Sequence, residues 1–305
     1  MSARLRIMRE LKLINEIRKR AGRPGKGVIA GIGDDCAVLK YDKSRYLLWA
    51  SDMLVAGTHF LAGKTPYEKI GRKAVVVNIS DIAAMGGVPL YITVSLGLPR
   101  STRKTDIRRL YDGIFGICKE YNIKVVGGDT NRAGALVIDV SVVGVVEKKR
   151  LTRRGGAKEG DLILITGPVR DGKKEHLDFE PRLSEARFLS GRHKISSMID
   201  VSDGIAPDVG RICSESGVGC VLYEGAIPLS KGLSVKDALY HGESFELLFT
   251  MNPKEVKRLF LGMKRRKEVP QYFIMGKITR DRDGMHLIED EGRVTRLKMK
   301  GFEHL

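Results

Sequence analysis

Short apolar runs and helical stripes alternate along the chain, and their lengths predict its elements. Leu5, Leu11, Ile14 and Ile17 recur at helical spacing in a highly charged segment, which predicts an amphipathic first helix, followed by a loop over 22–27. Positions 46–50 predict a short strand ending at Ser51 and Asp52. The run 74–85 is so uniformly apolar that period cannot separate strand from buried helix; its length favours a helix, with Asn78 and Asp81 three apart on one face. A strand is predicted over 91–98, then a helix over 105–121 with Ile107, Leu110, Ile114, Ile117 and Tyr121 on one side. A strand over 123–126 is expected to stop at Gly127-Gly128-Asp129-Thr130, and a longer one covers 136–146.

Around 148–160 the chain turns basic and glycine-containing before a new strand at 161–166, which puts a domain boundary there: 1–148 and 149–305. In the second part, Asp203-Gly204 precede a helix whose Ile205, Val209 and Ile212 face inward and whose stop is Gly217. A strand at 246–251 leads into Asn252-Pro253-Lys254-Glu255, a helix start, and strands at 271–278, 285–288 and 294–297 follow. The alternation predicts an α/β or α+β protein of two domains. The longest apolar stretch, 135–146, is broken by Asp139 and falls short of the roughly 18–20 residues a membrane span needs.

Composition narrows the class. A chain of 305 residues with 42% hydrophobic content can bury a large core, which excludes a disordered protein. Its start mixes Arg and Glu with Leu and Ile, unlike a secretory signal, and Cys36, Cys118, Cys213 and Cys220 form no CxxC pair. Buried reduced thiols and a cytoplasmic location are the expectation. The net charge of +17 raises the question of nucleic acid, but Lys and Arg are spread along the whole chain, and the 6% of aromatics do not interleave with them. A basic RNA-binding protein is therefore the weaker reading.

In so basic a chain the acids are informative: Gly33-Asp34-Asp35, Ser51-Asp52, Ser80-Asp81, Gly128-Asp129-Thr130, Asp200-Val201-Ser202-Asp203-Gly204 and Gly242-Glu243. Each alone reads as a turn or a helix cap. Together, mostly at predicted strand ends, they would repel one another unless a cation sat among them, and Mg²⁺ takes carboxylates, water and phosphate oxygens. Gly128 and Gly204 would let backbone approach phosphate. The pattern predicts Mg²⁺-dependent phosphoryl transfer. Gly167 to Lys173 matches GxxxxGK, but Lys174 stands where a P-loop needs Ser or Thr, so a basic surface loop is expected there. No GxSxG or activated cysteine is present; His59, after a tight turn, is either a structural histidine or a substrate contact.

The segments GIGDDCAVL (31–39), SDMLVAGTHF (51–60), NISDIAAMGG (78–87), GGDT (127–130), DVSDG (200–204), SGVG (216–219) and GESFELLFT (242–250) occur in the order seen in the thiamine-monophosphate kinase family, which the chain resembles over nearly its full length. The resemblance implies an AIR-synthase-like fold: an N-terminal domain whose sheet pairs across a homodimer and a C-terminal α/β domain closing an ATP cleft. It implies transfer of the ATP γ-phosphoryl group to thiamine monophosphate by direct in-line attack. By position, Asp34, Asp52, Asp81, Asp129, Asp200 and Asp203 match the family's magnesium-binding acids, with Ser51 assisting; Asp129 and Asp203 are the expected catalytic pair. Gly128, Asp129, Ser202 and an arginine best matched by Arg154 correspond to nucleotide contacts, and His59, Glu243 and Phe302 to substrate contacts. The chain departs from the family at Ser244, where an Asp is usual, and in the basic segment PVRDGKKEH (168–176). A related ATP-dependent kinase or synthetase acting on another anionic metabolite is the alternative.

Overall fold

A computed structural model describes residues 10–263 and 271–299. The first half begins with α1 (Glu10–Ala21), β1 (Val28–Ala30), β2 (Ala37–Lys40) and β3 (Arg45–Val55). It continues with α2 (Tyr67–Ala84), β4 (Val88–Leu98), α3 (Lys104–Glu120), β5 (Lys124–Arg132) and β6 (Val137–Glu147). Its strands form one sheet in the order β1-β2-β3-β6-β4-β5, antiparallel except for β4 with β5. The second half holds β7 (Leu162–Thr166), α4 (Gly172–Glu175), α5 (Leu183–Arg192), β8 (Ser197–Asp200), α6 (Ile205–Ser216) and β9 (Val218–Tyr223). There follow α7 (Val235–Tyr240), β10 (Leu247–Met251), α8 (Pro253–Met263), β11 (Tyr272–Arg280), β12 (Met285–Ile288) and β13 (Val294–Arg296). The second sheet runs β13-β12-β9-β11-β7-β10-β8, with β9 and β12 its one parallel pair. The fold is mixed α/β with a sheet in each half.

Burial decides the ambiguous run at 74–85. Val75, Val76, Val77, Ile79 and Ile82 are mediocre helix formers, each costing roughly 0.5 kcal/mol against alanine. All five are buried, because α2 packs on α3, on β3 and β6, and on α5 and β8 of the other half. Burying such side chains contributes about 1.5–3 kcal/mol each, so packing outweighs propensity. Gly217 closes α6 in the left-handed conformation, as its sequence position predicts.

Two strand ends differ from expectation. β3 does not end at Ser51 and Asp52 but runs on to Val55, because its whole length pairs with β6. β5 does not stop at the glycines: Gly127, Gly128, Asp129 and Thr130 pair with β4 from Thr93 to Leu96. The small residues are needed there, since a Cβ on Gly128 would lie 1.9 Å from the Val94 carbonyl oxygen. The four cysteines are free and buried, and no described helix is long and apolar enough to cross a membrane.

Candidate active site

A cavity of about 1000 Å³ opens between the halves. Three carboxylates meet on its wall: Asp35 from the loop after β1, Asp81 from α2 and Asp200 at the end of β8. One oxygen from each lies within 4.8 Å of the others. Asp35 Oδ1 accepts from Arg154 Nε at 3.0 Å and Nη2 at 2.5 Å, whereas Asp35 Oδ2 is buried with no hydrogen-bond partner among the described residues. Asp200 Oδ2 accepts from Ser80 Oγ at 2.6 Å, a bond joining α2 of the first half to β8 of the second. Asp203 and Asp208 share Arg211, and Asp208 also accepts the Asp203 backbone N–H.

These acids are poorly compensated. Burial, then the neighbouring Asp200 and Asp34 charges, push Asp35 up to about 7 against the pull of Arg154. Burial followed by Asp139 and Asp203 pushes Asp52 up to about 6. Asp200 reaches about 6 and Asp208 about 8, each chiefly by burial, and Asp81 is raised through burial and then Asp52 and Asp200. Buried carboxylates lifted above their ordinary range, one with an oxygen that has no partner among the described residues, make a donor set suited to a hard divalent cation.

The other named residues distribute as follows. Asp34 turns away from the three converging acids: it takes Arg153 Nε and the Arg154 backbone N–H, both at 3.0 Å. Successive residues of an extended chain point to opposite sides, so one of Asp34 and Asp35 reaches the cluster, and it is Asp35. Ser51 lines the cavity, yet its Oγ donates to Asp139 at 3.0 Å. Asp129 sits on β5 at the sheet edge, exposed, opposite Ser95 and one strand further from Asp139; its oxygens take the Thr130 N–H and Asn131 Nδ2. Neither Gly128 nor Asp129 lines the cavity among the described residues, whereas Arg154, Ser202 and Asp203 do. Phe302 lies outside the described residues.

His59 and Glu243 line the same cavity and belong to a second cluster. His59 Nδ1 accepts from the Val55 N–H at 3.0 Å, and its carbonyl is also engaged: Lys73 Nζ donates to it at 3.1 Å. Lys73, fully buried on α2, also binds Glu243 and His176 Nδ1. Glu243 and Phe245 adopt left-handed backbone at φ 65° and 52°, costly for non-glycine residues and typical of functional loops. Their N–H groups are tied to Ser202 O at 2.7 Å and Val201 O at 2.8 Å, which holds the strain in place. Buried Ser244 accepts the Arg170 N–H at 3.2 Å.

The basic segment 168–176 is not simply a surface loop. It contains no P-loop helix, only the four-residue α4, and it turns His176 into the cavity and leads to Phe179, which stacks on Phe245 with centroids 4.1 Å apart. Sequence reasoning assigned no site role to Asp35, Lys73, Asp139, His176, Asp208 or Arg211. One signal was available: Lys73 directly precedes the apolar run that opens at Ala74, and a lysine buried with that run needs an acid.

The class is that of the AIR synthase related proteins: the model of their N-terminal domain matches residues 33–146 and that of their C-terminal domain residues 151–288. Within that class, the thiamine-monophosphate kinase of Buchnera aphidicola (Schizaphis graminum strain) is 34% identical over 97% of this chain and 98% of its own length. That of Escherichia coli K12 is 34% identical over 90% and 91%. The chain belongs to the thiamine-monophosphate kinase family, which makes it a phosphotransferase. The structure of AaThiL complexed with AMPPCP and TMP is similar at a TM-score of 0.83 and 27% identity, covering 100% of both chains. The Stenotrophomonas maltophilia K279a enzyme gives 0.73 and 28%, covering 93% of this chain and 96% of the other. Escherichia coli HypE, at 18% identity and 0.73, covering 97% and 98%, shares the fold alone.

Proposed function

We propose that the protein transfers the γ-phosphoryl group of ATP to the phosphate of thiamine monophosphate, giving thiamine diphosphate and ADP, with Mg²⁺ required. The observation that carries the reading is the convergence of Asp35, Asp81 and Asp200 within 4.8 Å, Asp35 Oδ2 having no partner among the described residues. Asp35, Asp81 and Asp200 would hold the cation, with Asp52 and Asp203 beside them; bound Mg²⁺ supplies neutralisation of the phosphate charge. Arg154 and Arg211 orient these acids through their ion pairs. The acceptor oxygen is already anionic, so positioning suffices and no strong base is required. The transfer is direct and in line.

Asp34 and Asp129 are carried in this proposal as outer acids rather than members of the converging three, and the domain division at 148/149 belongs to it too. A homodimer is supported by the first sheet, where exposed Trp49 and Tyr91 lie in one row across Val143 and exposed Met53 lies two rows further along the same face, past Ser51. Buried free thiols agree with the cytoplasm. The test is incubation with Mg·ATP and thiamine monophosphate, followed by chromatography. Equal amounts of thiamine diphosphate and ADP establish the activity; ATP binding without that product moves the acceptor to another anionic metabolite.

A further inference from the structure

We propose that His176 determines specificity for the acceptor: Lys73 holds its imidazole in the Nε2–H form, and with Glu243 it offers an aminopyrimidine one fixed donor beside one fixed acceptor. The inference rests on the kinase reading above. Its geometric basis is Lys73 Nζ, an ammonium with three N–H donors and no acceptor. Three acceptors surround it: His59 O at 3.1 Å, His176 Nδ1 at 2.7 Å, and Glu243 Oε1. An ammonium can only donate, so Nδ1 must accept, and the single proton of the neutral ring stands on Nε2.

The competing arrangement puts the proton on Nδ1, donating to Glu243 Oε2 at 3.3 Å. That N–H would then face the lysine ammonium at 2.7 Å, two donors against each other. The charged and titratable groups that bear on the ring are Lys73, Asp178, His59 and Glu243. Burial first and Lys73 second push it down to about 4, with Asp178 opposing, so it is neutral at pH 7.

The two clusters divide the cavity by chemistry. The aspartates suit cations and, through a bound cation, phosphates; Lys73 and Glu243 neutralise each other, and with neutral His176 they present directional groups to an uncharged ring. The pyrimidine of thiamine carries an exocyclic amine, a donor, next to a ring nitrogen, an acceptor. Glu243 complements the first and His176 the second. Oxythiamine, with oxygen for the amine, reverses both, and a site built for one pattern rejects the other because its polar groups are left unpaired.

The experiment has two independent readouts on the full chain. Long-range ¹⁵N–¹H spectra of the unmodified protein at pH 7, with the His176 signals assigned by their loss in His176→Gln, should show the Nε2–H tautomer. A protonated ring or an Nδ1–H ring overturns the inference. Kinetically, His176→Ala should raise KM for thiamine monophosphate about 10- to 100-fold, leave KM for ATP within about twofold, and cut discrimination against oxythiamine monophosphate at least about tenfold. His176→Gln, which keeps a side-chain donor, should recover most of that discrimination. Unchanged KM and discrimination in His176→Ala overturn the inference. Absence of thiamine diphosphate with unmodified protein is instead the failure of the kinase reading, and the spectra still decide the tautomer.

Discussion

The two ends of the cavity solve opposite electrostatic problems. At one, Asp35, Asp52, Asp81, Asp200, Asp203 and Asp208 outnumber the arginines that reach them, and burial lifts several well above the ordinary carboxylate range. At the other, a single buried lysine has all its hydrogen bonds satisfied by a carboxylate, an imidazole and a carbonyl. The first region carries an excess of buried negative charge; in the second the charges are paired within the chain. The lesson is that a surplus of charge marks where a ligand's charge must go, whereas a closed network marks where its shape and hydrogen bonds are read.

The largest effect that would break this contrast is at the acidic end. Asp200→Asn should lower Mg·ATP turnover by about 10²- to 10³-fold while raising the melting temperature of the metal-free protein, since one repelling charge is gone. Steady-state kinetics and calorimetry read the two signs; a variant that loses both activity and metal-free stability would mean the acids support the fold instead. At the closed end, Lys73→Met should do the reverse and destabilise by about 1–3 kcal/mol, because Glu243 and His176 lose their shared donor. Denaturant titration measures it.

A subtler test uses pH. Native Asp52, Asp200 and Asp35, lifted to about 6, 6 and 7, hold protons more tightly than the unfolded chain. Metal-free stability from this source is therefore full below pH 4 and falls as pH rises through about 7, by a few kcal/mol in order of magnitude. Added Mg²⁺ should raise the melting temperature more at pH 8 than at pH 5, because ionised carboxylates bind it better. An equal shift at both pH values would place the cation elsewhere. Smallest of all should be Asp129→Asn in metal-free stability, within about 0.5 kcal/mol, given its exposed position on β5.

Much of this was legible beforehand. The apolar pattern found α3, α6, β6, β7, β10, β11, β12 and β13, whose stops are local, and passed over the short β8 and β9. It ended β3 and β5 too early, since strand pairing with β6 and β4 carries polar and glycine residues that no local rule would place in a strand. Of the acids assigned from the sequence motifs, Asp52, Asp81, Asp200 and Asp203 line the cavity, and Asp34 and Asp129 do not. Which of Asp34 and Asp35 reaches the cluster depends on the direction of one loop residue, and the Lys73 network joins residues 73, 176 and 243; neither is a local property.

The converging oxygens come from both halves: Asp35 and Asp81 from the first, Asp200 from the second. The proposed cation site is thus split between the halves, and an ion bound there would clasp them together. Magnesium titrated into the metal-free protein should therefore merge broad, stepwise melting into a single sharp transition, and the cooperativity of unfolding becomes a direct gauge of how firmly the halves are clasped.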